Sequence, residues 1–418
     1  MVDRPPGRNG SPKRKILKGV SANVVVLGIV SMLTDMSSEM IIPILPFFLV
    51  SVGATGLLIG LIEGAAETTA SLLKVPSGWY SDRIGRRKPF ILAGYGSSAL
   101  VKPLLIVATA PWHVLGIRIS ERVGKGVRSA PRDALIADST ECKSMGLAFG
   151  FHKFMDTFGA ILGVVGLIAL VFAMGIGLEG DYDAEHFKTI FAVAAIPALA
   201  SVLVIILFVQ ERKRKRCAIT GTFLRDMKGL GRGFWLLMVV VMAFYIAEVN
   251  QAFFLLKGEE GGLSITSVLL LYLLFNISFA LPATVFGGLS DRFGRKPVIT
   301  ASFAVFAVTC AVMAVADGLW MLVLGFAMFG IYKASSEGVF KAYVVDSVGK
   351  EMRGSALGAF HTGAGLVMLP GGIIAGLLWD SVGSHATFLF GAAMAFVSIV
   401  LLAVVAPREK PLRTDAAA

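Results

Sequence analysis

Long apolar stretches separated by short polar connections run along the whole chain. Each stretch has about 20 residues, the length that an α-helix needs to cross roughly 30 Å of hydrocarbon. The pattern predicts twelve transmembrane helices, over 22–50, 57–80, 90–109, 112–138, 146–174, 187–210, 234–256, 266–289, 297–315, 319–346, 354–379 and 386–407. We therefore expect an all-α membrane protein.

Composition agrees with this pattern. Hydrophobic residues make up 56% of the chain, charged residues 16%, and the mean hydropathy is +0.76. An ordinary soluble domain carries about a quarter charged residues, so this chain could not cover a water-exposed surface. The first apolar span is too long for the core of a signal peptide, and no small-residue cleavage site follows it. It is expected to be retained as a helix.

The polar connections contain a basic turn that occurs twice, half a chain apart. The first copy, 78–89, reads GWYSDRIGRRKP, and the second, 287–297, reads GGLSDRFGRKP. Each copy ends one apolar span and opens the next. The repetition predicts a duplicated bundle of membrane helices, an arrangement that commonly builds transporters with a solute site between the halves.

Further features repeat at the same interval. Trp112 and Asp138 bracket the fourth span, while Trp320 and Asp346 bracket the tenth. Two six-helix halves in the same order predict a parallel repeat about an axis along the membrane normal. The predicted halves are 1–210 and 234–418, joined by a basic linker, 211–233.

The charge of the connections predicts the orientation. The N-terminal tail, the linker with its basic run 212–216, the two basic turns and the C-terminal tail all fall on one side. By the positive-inside rule, both termini and the linker are cytoplasmic, in a multi-pass protein of the plasma membrane. Topology thus accounts for the net charge of +11. The expected partners are the bilayer and a small-molecule solute, with no nucleic acid.

The sequence offers no sign of catalytic or metal chemistry. Cys142, Cys217 and Cys310 are scattered singly, without metal-ligand spacing. No Gly-x-x-x-x-Gly-Lys-Ser/Thr phosphate loop is present in the sequence. We expect no enzyme activity, no cofactor and no metal. Energy for transport would come from an ion gradient, the solute gradient or a separate subunit.

The doubled turn resembles the signature of the major facilitator superfamily, and the resemblance covers essentially the full chain. In that family the turn's Asp lies beside a helix of the opposite half, and its basic residues pair with an acid that ends the fourth span. The resemblance implies a monomer that works by alternating access. It also implies a cytoplasmic gate formed by Asp82, Arg83, Arg86, Asp138, Asp291, Arg292 and Asp346. Alternatively, the arginines only anchor the loops.

The fourth span is unusually charged for a membrane helix. Arg118, Arg122 and Lys125 lie near one helical face. A charge near the bilayer centre costs about 2.5–3.5 kcal/mol even on the lenient insertion scale, so such groups face a cavity or a partner. The drug:proton antiporters of the superfamily carry an Arg followed four residues later by Gly in this helix, as Arg122 and Gly126 do here. Lys125 departs from their usual small or amide residue.

The positive face of the fourth span predicts an electropositive central site. Candidate solute-binding residues are Arg118, Arg122 and Lys125 in the first half, with Glu248, Asn250 and Asn276 in the second. Lys333, Glu337 and Lys341 are spaced for pairing along one helix. Glu248 has no partner that the sequence reveals.

Acids in the first two spans are candidates for proton coupling. They form two pairs with four-residue spacing, Asp35 with Glu39 and Glu63 with Glu67. One interpretation is a set of internal ion pairs with the cations of the fourth span. The other is that some acids exchange protons during alternating access, because burial in an apolar cavity favours the neutral acid and a nearby cation favours the carboxylate. Asp35 and Glu39 are the best candidates.

Two histidines occupy matching positions at the starts of spans five and eleven. His152 and His361 each follow a Gly-x-Ala-x-Gly segment. A histidine in such a position either titrates as part of a gate or packs between helices.

Together these features predict a secondary transporter, with proton-coupled export of an organic anionic or amphiphilic solute as the preferred function. The alternatives are an importer of an anionic metabolite or metal chelate, and a non-transporting membrane sensor or scaffold.

Overall fold

The computed structural model describes residues 15–17, 20–140, 144–211, 229–348 and 352–405. The helices of the first half are α1 Ala22–Ile41, α2 Leu45–Ser51, α3 Gly56–Ile84, α4 Lys88–Val101, α5 Pro111–Asp138, α6 Met145–Ala173 and α7 Ala184–Phe208, and a 3₁₀ segment, Lys102–Val107, continues α4. Those of the second half are α8 Arg232–Tyr245, α9 Gln251–Glu260, α10 Ile265–Ala280, α11 Ala283–Phe293, α12 Arg295–Ala314, α13 Leu319–Asp346, α14 Arg353–Ser381 and α15 Ser384–Val405. Two short antiparallel strands, β1 Lys15–Leu17 and β2 Val20–Ser21, precede α1.

The helices confirm the predicted all-α architecture, with boundaries within a few residues of those expected. Three of the twelve spans are interrupted within the described ranges: α1–α2, α8–α9 and α10–α11. Pro43 and Pro282 lie at two of these breaks, because proline lacks the N–H that would continue the helix. Ten spans in this part of the chain are long and apolar enough to cross a membrane. The other two are the charged α5 and the broken α8–α9.

Side-chain caps start several of these helices. Thr55 accepts the backbone N–H of Leu58 at the start of α3, at 3.4 Å. Asp183 accepts the backbone N–H of His186 at 2.8 Å at the start of α7, and this hydrogen bond holds the pKa of Asp183 below its usual range. Each cap satisfies an N–H group that the first helical turn leaves without a partner.

Among the described residues, the main contacts between the halves are α3 with α14 and α6 with α10, and a smaller one joins α2 and α9. The α3–α14 contact is made backbone to backbone. A Cβ atom on Gly60 would lie 2.0 Å from the carbonyl oxygen of Gly372, and one on Gly376 would lie 2.3 Å from that of Gly56. Only glycine permits this approach, the small-residue packing typical of membrane helices.

The two ends of the molecule differ. We call the end with residues 82–88 and 291–295 the turn end, and the opposite end, with residues 52–56 and 261–264, the far end. The hydrogen bonds that join the halves among the described residues all lie at the far end or near mid-membrane. Their donor and acceptor residues are Gly56 and Leu57 with Asp380, Ser264 with Leu178, Tyr182 with Thr266, Thr68 with Gly365, and Tyr272 with Glu39. The molecule is therefore closed at the far end.

Most of the basic residues from which the orientation was predicted lie outside the described residues. This holds for both basic tails and for the basic run 212–216 of the linker, as it does for Cys142 and Cys217. Cys310 is buried in the core.

Candidate functional site

The first basic turn is held together by Arg87, which lies between α3 and α4. Its guanidinium donates to Ser81 Oγ at 2.6 Å and pairs with the Asp82 carboxylate, and its Nε lies 3.8 Å from Asp138 Oδ2 at the end of α5. The side chain is 5% exposed. Glu211 accepts the backbone N–H groups of Arg87 and Lys88, at 3.0 and 2.8 Å.

The arginine that lies beside Asp138 is Arg87, which the sequence analysis did not name. Arg83 and Arg86 were expected to pair with Asp138, but both are exposed, and Arg83 stacks on Trp79 at 5.4 Å. The helix α3 ends at Ile84, and the left-handed Gly85 redirects the chain, so that Arg87 is the residue that approaches Asp138. In this conformation Asp82 contacts its own half rather than the opposite one.

The second turn repeats the same construction. Arg295 pairs with Asp291 at 2.6 Å and with Asp346 at 3.1 Å, and it also donates to Ser290. Arg292, which was expected in this role, is exposed and stacks on Phe293 instead. The match of Arg295 to Arg87 is visible in the sequence once both copies are aligned on their Lys-Pro end.

Each turn needs its glycine. Gly85 has φ +71° and Gly294 has φ +93°, in the region that side chains with a Cβ rarely adopt. The glycine lets the chain leave α3 or α11 and brings the following arginine back to the acid.

Arg118 of α5 is a buried structural cation in this conformation. It is 1% exposed, and its guanidinium bonds to both oxygens of Glu63, at 2.8 and 3.0 Å, and to Glu121 at 2.8 Å. Lys102 lies 3.9 Å from Glu121 on the other side. In this conformation Arg118 and Glu63 bind one another, as the alternative of internal ion pairs predicts. A buried guanidinium requires such partners.

The remaining cations of the α5 face differ in their pairing. Arg122 forms an ion pair with Glu67 at 2.8 Å and is 6% exposed. Lys125 is exposed and forms no ion pair with a described residue, although the charges of Glu67 and Asp35 lie within electrostatic reach. Of the three cations on this face of α5, Lys125 is therefore the one that contributes an unpaired, exposed positive charge among the described residues.

The acids of α1 lie at the meeting point of the halves. Glu39 accepts a 2.9 Å hydrogen bond from the hydroxyl of Tyr272 on α10. Asp35, one turn away, is half-buried and faces the charges of Lys125, Arg128, Arg132 and Asp156. The sequence analysis missed Tyr272, because an aromatic residue in an apolar span gives no sign that its hydroxyl reaches a charge.

In the second half, three predicted solute contacts have partners within the protein. Glu248 was thought to lack a partner, but Lys333 and Tyr332 both donate to it, Tyr332 at 2.8 Å. Asn250 caps α9 by accepting the N–H of Ala252 at 2.9 Å.

Asn276 is 7% exposed and donates to the Tyr272 carbonyl oxygen at 3.1 Å. Lys341 pairs with Glu337 at 3.4 Å, as its spacing predicted. The expected pairing of Lys333 with Glu337 is replaced by the bond to Glu248.

The two histidines occupy different environments. His152 is 4% exposed, with Nδ1 3.8 Å from Asp156 Oδ1 on the same helix. His361 is half-buried against Phe360, with ring centroids 5.3 Å apart, near the charges of Lys74 and Lys341.

Charged side chains from both halves lie near one another on the turn-end side of the closed end, and we infer a water-filled cavity between them. Lys125 of α5 and Glu337 and Lys341 of α13 are exposed there. Lys74 of α3 and Lys153 of α6 lie near enough to Glu337 for their charges to interact across the cavity. Exposed charges on helices that face one another within a membrane bundle require water between them.

Comparison with known proteins identifies the family. The family model of the Major Facilitator Superfamily matches residues 27–283 and 233–418. The chain belongs to the major facilitator superfamily. It is 36% identical over 389 residues to an uncharacterized MFS-type transporter of Methanocaldococcus jannaschii, covering 92% of this chain and 94% of that protein. It is also 36% identical over 119 residues to the class C tetracycline resistance protein of Escherichia coli, covering 28% of this chain and 30% of that protein.

Solved structures of the superfamily show the same fold. A variant of the nucleoside transporter NupG has a TM-score of 0.79 with 15% sequence identity, over 92% of this chain and 99% of that one. The resemblance stated from the basic turns is thereby confirmed, and the protein is a multi-pass membrane transporter by family.

Proposed function

We propose that this protein is a proton-coupled exporter of an organic anion or amphiphile, acting as a monomer in the plasma membrane with the turn end in the cytoplasm. Four features support the proposal: a mid-membrane acid bonded across the halves, lysines that face the space between the halves, the half-buried Tyr245 near them, and partial similarity to a tetracycline resistance protein.

The contact between Glu39 and Tyr272 carries the argument for coupling. The acid belongs to the first half and the hydroxyl to the second, so a rocking motion that opens the far end separates them. A buried carboxylate that loses its hydrogen-bond donor gains stability by taking up a proton. Glu39 would thus bind a proton in one state and release it in the other, with Asp35 responding one turn away.

The cavity supports an anionic or amphiphilic solute. Lys74, Lys125 and Lys341 outnumber Glu337 there, and this excess of positive charge attracts a carboxylate, a phosphate or a similar group. Of the aromatic residues nearby, Tyr245 is half-buried and packs in front of Phe340 and Phe360, with ring centroids 6.1 and 6.2 Å away, and both of those phenylalanines are buried. An amphiphile would place its anionic group toward the lysines and its apolar body against Tyr245.

The basic turns form the gate of the alternate state. In the present conformation, closed at the far end, Asp82 and Asp291 bind the arginines of their own turns. Rocking of 1–210 against 234–418 would bring the turns toward the opposite half and close the cytoplasmic side. The residues of this gate are Asp82, Arg87, Asp138, Asp291, Arg295 and Asp346.

The test is transport in sealed vesicles with an imposed pH gradient. Tetracycline and a panel of organic anions are first screened by their effect on the thermal stability of the purified protein. A solute that stabilises it is then followed with and without a protonophore. Asp35→Asn and Glu39→Gln should abolish gradient-driven accumulation and retain part of the downhill exchange. Asp317→Asn, at an exposed acid, serves as the matched control.

Two results would overturn the proposal. If flux in the wild-type protein ignores the pH gradient, the coupling ion is not the proton. If both variants still concentrate solute, Asp35 and Glu39 do not carry the proton. Uptake in the opposite direction under the same gradient would favour the importer.

A further inference from the structure

A histidine and an aspartate on α6 retain unused hydrogen-bonding capacity inside the bundle. His152 is 4% exposed, and no described group lies within hydrogen-bond distance of its Nε2. Asp156 Oδ1 is likewise buried without a hydrogen-bond partner, 3.8 Å from His152 Nδ1. That separation is too long for a hydrogen bond, so the two groups are adjacent but not bonded.

Such an arrangement is costly unless it has a function. A buried polar atom without a partner costs about 1–3 kcal/mol. A proton on the imidazole would convert the pair into a charge-assisted hydrogen bond, which is the stronger kind. The site therefore has the chemistry to bind one proton.

The pair lies on the turn-end side of the α1 acids. The Asp156 side chain is 18% exposed, which gives it access to water. Its charge interacts with that of Asp35 on α1. The packing of α1 on α6 shows the order of these residues along the membrane normal, because Met32 lies against Gly159 and Met36 against Gly163. Asp156 is thus nearer the turn end than Asp35, and His152 is nearer still.

Four charged residues lie around His152. His152 faces Asp156 and Lys153 on its own helix and Arg132 and Asp133 on α5. Arg132 is fixed by Asp133 at 3.0 Å and by Ser31 of α1 at 3.3 Å. Because Arg132 and Asp133 bind one another, neither of them is available to satisfy His152.

We propose that His152 and Asp156 form a second proton-binding site, which passes protons between the cavity and Asp35. In the inward step, the imidazolium Nδ1–H transfers its proton to the Asp156 carboxylate, leaving a neutral imidazole and a carboxylic acid. The acid then passes the proton through water to the Asp35 carboxylate and becomes a carboxylate again. The release step runs the same transfers in reverse. This inference rests on the proposed function, since it supplies protons to the acids named there.

The experiment titrates the protein itself and needs no solute. Full-length protein with isotope-labelled histidine is placed in lipid nanodiscs, and the ring signal of His152 is followed by NMR against pH. The signal is assigned by its loss in His152→Gln. We expect His152 to titrate, and Asp35→Asn to shift its midpoint by about half a pH unit or more, because Asp35 interacts with Asp156, which lies beside His152. Asp156→Asn should shift it further.

Internal controls keep the result specific. His186, at the start of α7, should keep its midpoint in Asp35→Asn. Asp317→Asn should leave His152 unchanged. Constant protonation of His152 over the pH range in which the protein stays folded would overturn the proposal, as would a midpoint that ignores both Asp35→Asn and Asp156→Asn.

This outcome is separable from that of the proposed function. Protonation of Asp35 is read independently from its carboxyl band in the infrared spectrum, and coupling from flux under a pH gradient. If the Asp35 carboxyl band titrates and the His152 ring signal does not change with pH, only the second proton-binding site is refuted. If the His152 midpoint responds to Asp35→Asn but flux ignores the pH gradient, only the proton-driven transport is refuted.

Discussion

Removal of the Asp380 carboxylate should weaken the closure of the far end. Asp380 ends α14, and its two oxygens accept the backbone N–H groups of Gly56 and Leu57, both at 2.8 Å. These are the first N–H groups of α3, which belongs to the other half. Thr55 satisfies the next one. One half therefore caps a helix of the other, and the contact exists only while the far end is closed.

The structure sets the size of the effect. Replacing an N-cap Asp by Ala costs about 0.5–2 kcal/mol, typically about 1. Asp380 is exposed, which argues for the middle of that range rather than its upper end. About 1 kcal/mol corresponds to a roughly fivefold change in an equilibrium, since 1.4 kcal/mol is tenfold. Asp380→Ala should therefore shift the ratio of far-end-open to far-end-closed molecules about fivefold. Asp380→Asn, which keeps one acceptor oxygen, should shift it less.

Spin-label distances measure this ratio directly. Val50 and Val382 are exposed, at 46% and 58%, and lie at the far end of opposite halves. Labels at these positions should show a larger long-distance population in Asp380→Ala than in the unmodified background. Asp317→Ala removes an exposed acid at the same end and should have no effect. If Asp380→Ala gives the same distance distribution as Asp317→Ala, the cross-half cap does not stabilise closure and the reasoning fails.

Three further predictions follow from the packing and the turns. Gly60→Ala places a Cβ 2.0 Å from a backbone oxygen of α14. The spin labels at the far end should therefore stay apart, and transport should be lost while the protein remains folded. Label distances equal to those of the unmodified protein would contradict this. Glu63→Gln leaves the buried Arg118 with Glu121 as its remaining carboxylate partner, at a cost below the roughly 3–5 kcal/mol of an unpaired buried charge, so the thermal midpoint should fall, and a second change, Arg118→Met, should restore part of it. Arg87→Gln should speed amide hydrogen exchange in its turn, whereas Arg86→Gln at the exposed neighbour should not; equal effects would refute the assignment.

Several features of the site could be predicted from the residues because they depend on local spacing. The acids Asp35 and Glu39 share a face because one helical turn separates them. Lys341 pairs with Glu337 for the same reason. The need for a partner at Arg118 followed from the cost of burying a charge in a membrane, and the structure supplies that partner.

Other features could not be predicted, because they join residues far apart in the chain. The choice of Glu63 for Arg118, and of Glu67 for Arg122, depends on how α3 packs on α5. Sequence spacing limits which residues share a face, but it does not say which face of a neighbouring helix they meet. The partner of Arg118 could not be read from the sequence for this reason.

The sequence by itself determined the number of spans, the duplication into halves and the membership of a transporter family. Each of these depends on properties that one segment carries alone: apolar length against bilayer thickness, and a turn that repeats. Only the tertiary structure decided which cations are neutralised, that Tyr272 reaches Glu39, and that Asp380 caps α3. Those contacts depend on distances of a few ångströms between helices, and such distances are set by the close approach of glycine-lined backbones across the two halves.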